Sequence, residues 1–201
     1  YTECFQWFIA PTNLANQNPD PTRAPHVINN SWGCPPSEGC NPLSLQTVVE
    51  NTRAAGIVVV VSAGNGGPAC STVNDPPAIY GASFSVGSTT SAAGDPISSF
   101  SSRGPVTVDG SNRLKPNLSA PGSGIRSSVP GTGYSSMSGT SMAGPHVAGV
   151  VGLVLSAFPQ LRGQVGTVES ILLATAAPRT STQTCGGVPG TRPLIFVVRF
   201  Q

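Results

Sequence analysis

With 201 residues, the chain is long enough for a single domain with a real core. Only 9% of its residues are charged, the formal net charge is +2 and the Lys/Arg residues form no cluster, which argues against a nucleic-acid surface. Its 24 glycines and 20 prolines predict a loop-rich, tightly turned protein; its longest apolar run, Val147 to Phe158, carries two glycines and stops at Pro159, short of a bilayer span.

In chain order, Phe5, Phe8 and Ile9 share one helical face and Pro11 ends the segment, so residues 1–9 read as a helix entered midway. Residues 11–25, rich in Asn and Pro, read as an exposed loop, and Val27 to Gly33 as a short strand running into a Gly/Pro loop. Leu45, Val48, Val49 and Thr52 recur at helical spacing before the C-cap glycine Gly56. The β-branched run Ile57 to Val61 follows at once, as in a strand buried on both faces. Strand, helix, strand is a parallel crossover unit, and the class is α/β. That strand opens into Ser62-Ala63-Gly64-Asn65-Gly66-Gly67-Pro68, a turn at the carboxyl end of a parallel strand, where ligands bind in open sheets. Phe84 to Ser88 is a further strand, Phe100 to Pro105 a turn, and Leu118 to Gly122 a strand then a turn. Val168 to Ala176 is a short helix stopped by Pro178, residues 179–193 a polar loop, and Leu194 to Val198 a final strand. There is no internal repeat.

The five cysteines, Cys4, Cys34, Cys40, Cys70 and Cys185, show no Cys-x-x-Cys spacing, and with only His26 and His146 beside them a metal site is not expected. Disulfides in a secreted protein are the better reading. Cys34 and Cys40 bracket a turn suited to a small bridged loop, and the odd count leaves one thiol over or one partner missing. Tyr1-Thr2-Glu3 has neither the basic start nor the apolar core of a signal peptide.

The stretch Gly139-Thr140-Ser141-Met142-Ala143-Gly144-Pro145-His146-Val147-Ala148-Gly149 surrounds one serine with small residues and leads into an almost wholly apolar segment. It predicts a tight turn delivering Ser141 to the first turn of a buried helix, where unpaired N–H groups favour negative charge. A serine there is placed to attack a carbonyl and then stabilise the oxyanion; equally, it is placed to serve as an ordinary N-cap.

Together these pieces decide. Gly139 to Gly149, Val58 to Gly66 and Val27 to Gly33, with weaker support from Phe100 to Pro105 and Ala120-Pro121-Gly122, resemble the subtilisin-like serine proteases (subtilases) from roughly Phe5 to Ala177. Asn29-Asn30-Ser31-Trp32-Gly33 is most similar to the bacillopeptidase F-type branch of that family. The resemblance implies a three-layer fold around a mostly parallel sheet, incomplete at the amino end, and a secreted serine endopeptidase acting on protein or peptide substrates. It implies Ser141 as the acyl-forming nucleophile and Asn65 as a side-chain donor to the oxyanion, alongside the Ser141 backbone N–H. Ser31, Trp32 and Gly33 would pair with an extended substrate and wall the primary pocket, with Ser62, Ala63 and Gly64 opposite. Met142 would be a site where oxidation harms activity.

Two expected motifs are absent: an Asp-Ser/Thr-Gly after a strand and a His-Gly-Thr-His, which in the family precede the oxyanion Asn. Asp20 and His26 have the right order, but they lie in a Pro-rich loop and His26 leads into the substrate-pairing strand. His146 is structural in the family and is read so here. Residues 1–201 are therefore expected to be the carboxyl-side portion of one catalytic domain, with a divergent tail at 178–201 and residues 186–201 carrying little function. The upstream part of the same domain is the expected partner, and the chain alone is expected to be inactive. The alternative is a pseudoprotease gripping extended peptides without cleaving them. An esterase of the α/β-hydrolase type is rejected: Gly139 to Ala143 falls one residue short of Gly-x-Ser-x-Gly and no Asp follows Ser141.

No cofactor is expected for the chemistry and no membrane or nucleic-acid partner. Structural calcium, common in the family, has no recognisable carboxylate loop here; Asp75, Asp95 and Asp109 read as turn residues. A pocket floor near Pro77-Ala78-Ile79, with no acidic residue evidently placed there, points to an apolar or broad substrate preference.

Overall fold

The computed structural model describes residues 1–90, 96–179, 185 and 195–197. Helix α1 (Thr2–Ile9) buries Phe5 and packs Phe8 and Ile9 against the same cluster, the face set by their spacing. The largely exposed loop that follows contains one 3-10 turn, Pro21–Arg23, capped by Asp20. Strand β1 (Val27–Asn30) leads through a second 3-10 turn, Pro36–Glu38, to α2 (Gln46–Ala54), which buries Val48, Val49 and Thr52. Gly56 reverses the chain at φ +86°, where a Cβ would lie 2.9 Å from the Gly163 Cα. Strand β2 (Val58–Ser62) then pairs in parallel with β1, Val27 to Asn30 opposite Val58 to Val61. The crossover unit read from the sequence is present.

Strands β3 (Phe84–Thr89) and β4 (Leu118–Pro121) extend the sheet in parallel. A hairpin of β5 (Ile125–Ser128) and β6 (Tyr134–Met137) stands apart from it, with the Arg126 guanidinium 4.4 Å from the Tyr134 ring centre. Helix α3 (Thr140–Ala157) is followed by α4 (Val165–Thr175), β7 (Ala177–Arg179) and β8 (Ile195–Val197). The sheet order is β1-β2-β3-β4-β8-β7, parallel except for the β7–β8 pair. The hairpin carries no apolar alternation in its exposed serines and was not expected; α4 begins three residues before the predicted Val168. Of the polar loop at 179–193, Arg179 belongs to β7, while 180–184 and 186–194 lie outside the described residues.

The fully buried β2 explains the layering. Val59 and Val61 point to one side, into a cluster with Phe5, Ile28, Val48 and Val49. Val58 and Val60 point to the other, meeting Phe84, Val86, Leu118, Val147, Val151 and Val168. Period-two alternation thus gives two cores, with α1 and α2 over one face and α3 and α4 over the other. The three-layer α/β fold is as anticipated. A bidentate ion pair between Arg53 and Glu169 ties α2 to α4.

One expectation fails. A buried helix is anticipated for the apolar run after Ser141, yet α3 is buried along one stripe only: Ala143, Val147, Val151 and Leu155, spaced by four residues, face the sheet. Pro145, Gly149, Gly152 and Leu153 are exposed, Leu153 at 62%. The sheet covers only one side of the helix. By length and a mean hydropathy of 1.3 α3 meets the requirement for a membrane span, but its stripe and its packing on β1 to β4 make it a cover of the sheet.

Candidate active site

The site forms where the carboxyl ends of β1 and β2 meet the amino end of α3. Gly139 precedes the helix in an extended conformation, its N–H donating to the Gly122 carbonyl at 2.8 Å. Gly122 admits this approach because it lacks a Cβ, which would lie 2.7 Å from the Gly139 carbonyl. Ser141 is the second residue of α3, so its N–H has no helical acceptor.

Asn65 sits in the turn after β2. Its side-chain oxygen accepts the Thr140 N–H at 2.9 Å and the Thr140 hydroxyl at 3.1 Å. The amide nitrogen is therefore turned outward. The point where a Cβ on Gly139 would stand is 3.7 Å from both the Asn65 Nδ2 and the Ser141 N. Two amide nitrogens thus flank one point at the start of α3, with the Met142 Sδ 3.6 Å from it, an arrangement suited to receiving developing negative charge. Thr140 also accepts the Gly64 N–H at 3.2 Å. Gly64, at φ +101°, lies against Ser102, whose hydroxyl accepts the Gly66 N–H at 2.9 Å and whose own N–H donates to the Gly64 carbonyl at 3.0 Å. The turn at Phe100 to Pro105 is thus the buttress of the Asn65 turn.

Ser31 and Ser141 are joined reciprocally. The Ser141 hydroxyl donates to the Ser31 carbonyl at 3.2 Å, and the Ser31 hydroxyl donates to the Ser141 carbonyl at 2.9 Å. Pro145 leaves that carbonyl available, since it lacks the N–H that would otherwise reach back four residues to it. The Asn29 amide donates to the Ser31 hydroxyl at 2.8 Å, and Gly144 makes room for Asn29, whose Oδ1 would be 2.7 Å from a Cβ there.

All the site residues expected from sequence fall here. Ser31, Trp32 and Gly33 follow β1; Ser62 and Ala63 are buried at the end of β2, and Gly64 leads to Asn65. The Trp32 ring stacks on Tyr1 at 4.1 Å and meets Phe5 edge-on, so it anchors this segment to α1. The Cys34–Cys40 bridge closes the small loop beyond it as expected; Cys70 pairs with Cys185, and Cys4 is the exposed free thiol. Thr140, Ser102 and Asn29 are additional participants. Their only sequence signal was membership of the short motifs around them.

The titratable groups divide sharply. Asp20 accepts the Thr22 hydroxyl at 2.6 Å and the Thr22 N–H at 3.0 Å, pairs with Arg23, and is held below the usual carboxylate range chiefly by the Thr22 hydroxyl. His26 is exposed, and its carbonyl accepts the Val58 N–H at the amino end of β1. The four residues of β1 separate it from Ser31, a span of about 16 Å. Asp20 and His26 are not brought to Ser141. The His146 Nδ1 lies 2.8 Å from the Met142 carbonyl on its own helix. Asp109 is a turn residue as read: its carboxylate accepts the Ser111 N–H and pairs with Arg113. Asp75 makes a turn too, its carbonyl accepting the Ala78 N–H, but its side chain abuts Gly33. Asp95 lies outside the described residues. Among the described residues, no three His, Cys, Asp or Glu side chains gather as a metal site.

A serine at a helix start, with two amide nitrogens flanking one point at the carboxyl ends of parallel strands, is an arrangement that can support acyl transfer. The Subtilase family profile matches residues 10–189, and the chain belongs to that family. It is 42% identical over 189 residues to Bacillopeptidase F of Bacillus subtilis (strain 168), covering 90% of this chain and 12% of that protein. It is 40% identical over 134 residues to a subtilisin of Bacillus pumilus, covering 66% of this chain and 43% of that protein. Among solved structures, a cold adapted subtilisin-like serine proteinase matches with a TM-score of 0.67 at 30% identity, over 88% of this chain and 56% of that one. The chain thus spans about half, or less, of the length of these relatives.

Proposed function

We propose that the chain carries the nucleophile, the oxyanion donors and the substrate walls of a secreted serine endopeptidase. The Ser141 Oγ attacks the carbonyl carbon of a peptide bond, and the carbonyl oxygen takes the charge between the Asn65 Nδ2 and the Ser141 N–H. Collapse of this intermediate expels the amine and leaves an ester on Ser141, which water then hydrolyses. The walls at Ser31–Gly33 and Ser62–Gly64 hold the substrate in extended form. No cofactor enters this scheme. The observation that carries the reading is that the Asn65 Nδ2 and the Ser141 N flank one point at the start of α3, with the amide orientation fixed by Thr140.

The proton on Ser141 must go to a base, and the base is supplied from outside residues 1–201, by the upstream part of the same domain. Two observations support this. The Ser141 hydroxyl bonds to a backbone carbonyl, while His26 stands at the far end of β1 and His146 is engaged with its own helix. In addition, the open face of α3 and the β5–β6 hairpin line a groove of about 540 Å³ that includes Ile125, Met137, Ser141, Met142, Pro145 and His146. A segment laid in that groove covers the exposed apolar face and reaches Ser141. Residues 1–201 alone are inactive on this account.

The test is peptide hydrolysis by the full-length protein, by its Ser141→Ala variant and by residues 1–201 alone. Cleavage only by unaltered full-length protein supports the proposal. Equal cleavage by residues 1–201, or survival of activity in S141A, overturns it. A pseudoprotease that grips peptides is the second reading, favoured by the backbone carbonyl that occupies the Ser141 hydroxyl. It predicts peptide binding without cleavage by the full-length protein.

A further inference from the structure

One segment, from Thr72 to Pro76, joins the two stretches read as substrate walls. On one side Thr72 lies under the Asn65 turn, its Cβ 3.6 Å from where a Gly66 Cβ would stand. On the other, the Pro76 carbonyl accepts the Cys34 N–H at 2.8 Å, just past the Ser31–Gly33 wall. Between these anchors lies Asp75. Gly33 lies against it: a Cβ there would be 3.3 Å from the Asp75 Cβ, tight enough to shift that residue by a few tenths of an ångström, and 3.7 Å from its Oδ2. A carboxylate thus stands against Gly33, while Pro77, Ala78 and Ile79, where an apolar floor was expected, are buried in the core.

We propose that Asp75 determines specificity in this cleft, and that the substrate residue donating the scissile carbonyl is Arg or Lys. The inference rests on the reading of Ser141 and Asn65 as the reacting site. The carboxylate is half-buried, and among the described residues it has no hydrogen-bond donor and no Lys, Arg or His partner. Burial first, and then the charge of Glu38, push its pKa above the ordinary carboxylate value. Glu38 is the other ionisable group that faces it, and the Glu38 Oε2 accepts only the Tyr1 hydroxyl, at 2.7 Å. A half-buried carboxylate with no donor of its own is open to a cation that completes it. A long basic side chain fits that need, its aliphatic stem passing Gly33 and its head bonding to the carboxylate. A guanidinium, able to offer two parallel N–H groups, meets it better than an ammonium.

The experiment uses the full-length protein that contains this chain, with and without Asp75→Asn, on peptides that differ only in Arg, Lys, Leu or Phe before the scissile bond. Unaltered protein should favour Arg over Leu in kcat/KM by at least about tenfold, and D75N should reduce that ratio by at least about tenfold. Benzamidine, an aryl amidinium, gives a readout independent of turnover: calorimetry should show binding that weakens at least about tenfold in D75N. A preference for Leu in the unaltered protein, or an Arg-to-Leu ratio that survives D75N, overturns the proposal while leaving the peptidase reading intact. Benzamidine binding that depends on Asp75 in a protein cleaving no peptide supports the Asp75 site and instead overturns the peptidase reading.

Discussion

An amide serves as an oxyanion donor only when its nitrogen, not its oxygen, faces the substrate, and in this chain Thr140 decides that orientation. Both Thr140 donors, N–H and hydroxyl, hold the Asn65 oxygen. Thr140→Val keeps the shape, removes one of these bonds and leaves the Gly64 N–H without its acceptor. A loss of roughly fivefold in kcat is expected, with KM little changed, since about 1 kcal/mol of orientation is lost. Asn65→Ala removes the donor itself and should cost about 10²–10³ in kcat, the loss known for removal of such a donor from a subtilisin. Steady-state kinetics on the full-length protein check both, and equal losses from the two variants would contradict a positioning role for Thr140. The places of Ser141 at a helix start and of Asn65 in a turn after a strand were legible because small residues and a strand-to-turn switch are local signals, whereas their roles came from the family resemblance. Thr140 and Ser102 were not, because a hydroxyl's partner 75 or 36 residues away leaves no mark on its neighbours.

Helix α3 shows how one residue rewires an element. Pro145 deprives the Ser141 carbonyl of its helical donor, and the Ser31 hydroxyl replaces it. Ser31→Ala should leave that carbonyl unpaired and lower stability by about 1–3 kcal/mol. Pro145→Ala restores the N–H, so the double variant should recover part of the loss. Denaturant unfolding of the four proteins should give a coupling of about 0.5–3 kcal/mol. Strict additivity would mean that the serine does not substitute for the missing helical bond. The helix itself was plain from its apolar run, but which side is covered was not: composition counts apolar residues, whereas burial depends on what packs against each face. The hairpin β5–β6 stayed hidden for a related reason, since its largely exposed residues carry no inside-outside alternation.

At the scale of the molecule, the parallel sheet was readable because buried strands are continuous β-branched runs, while the charge buried beside it was not. Lys115 is enclosed, donating to the Ser83 carbonyl at 2.6 Å and to the Asn117 Oδ1 at 2.8 Å, and burial foremost pushes its pKa down to about 7. Unfolded, the same ammonium titrates near 10.5. Between these values the unfolded chain holds the extra proton, so stability rises with pH through that window; below about 7 the full cost of the buried charge applies. Urea unfolding should show a rise of up to about 1.4 kcal/mol per pH unit from this group, and Lys115→Met should flatten it. A pH dependence unchanged in K115M would remove Lys115 as its source. The Cys70–Cys185 bridge, 115 residues apart, ties the loop beyond Asn65 to the far end of the chain. Cys70→Ser should lower stability by about 2–5 kcal/mol, read by the same urea unfolding.

The central claim is that Ser141 is a nucleophile activated by a base outside residues 1–201. Covalent labelling with phenylmethylsulfonyl fluoride, read by intact mass and peptide mapping, tests it most directly. The account predicts one adduct on Ser141 in the full-length protein, none in S141A, and only background labelling of residues 1–201 alone. Labelling of Ser141 at the same rate in the isolated chain, or an adduct that persists elsewhere in S141A, would contradict it.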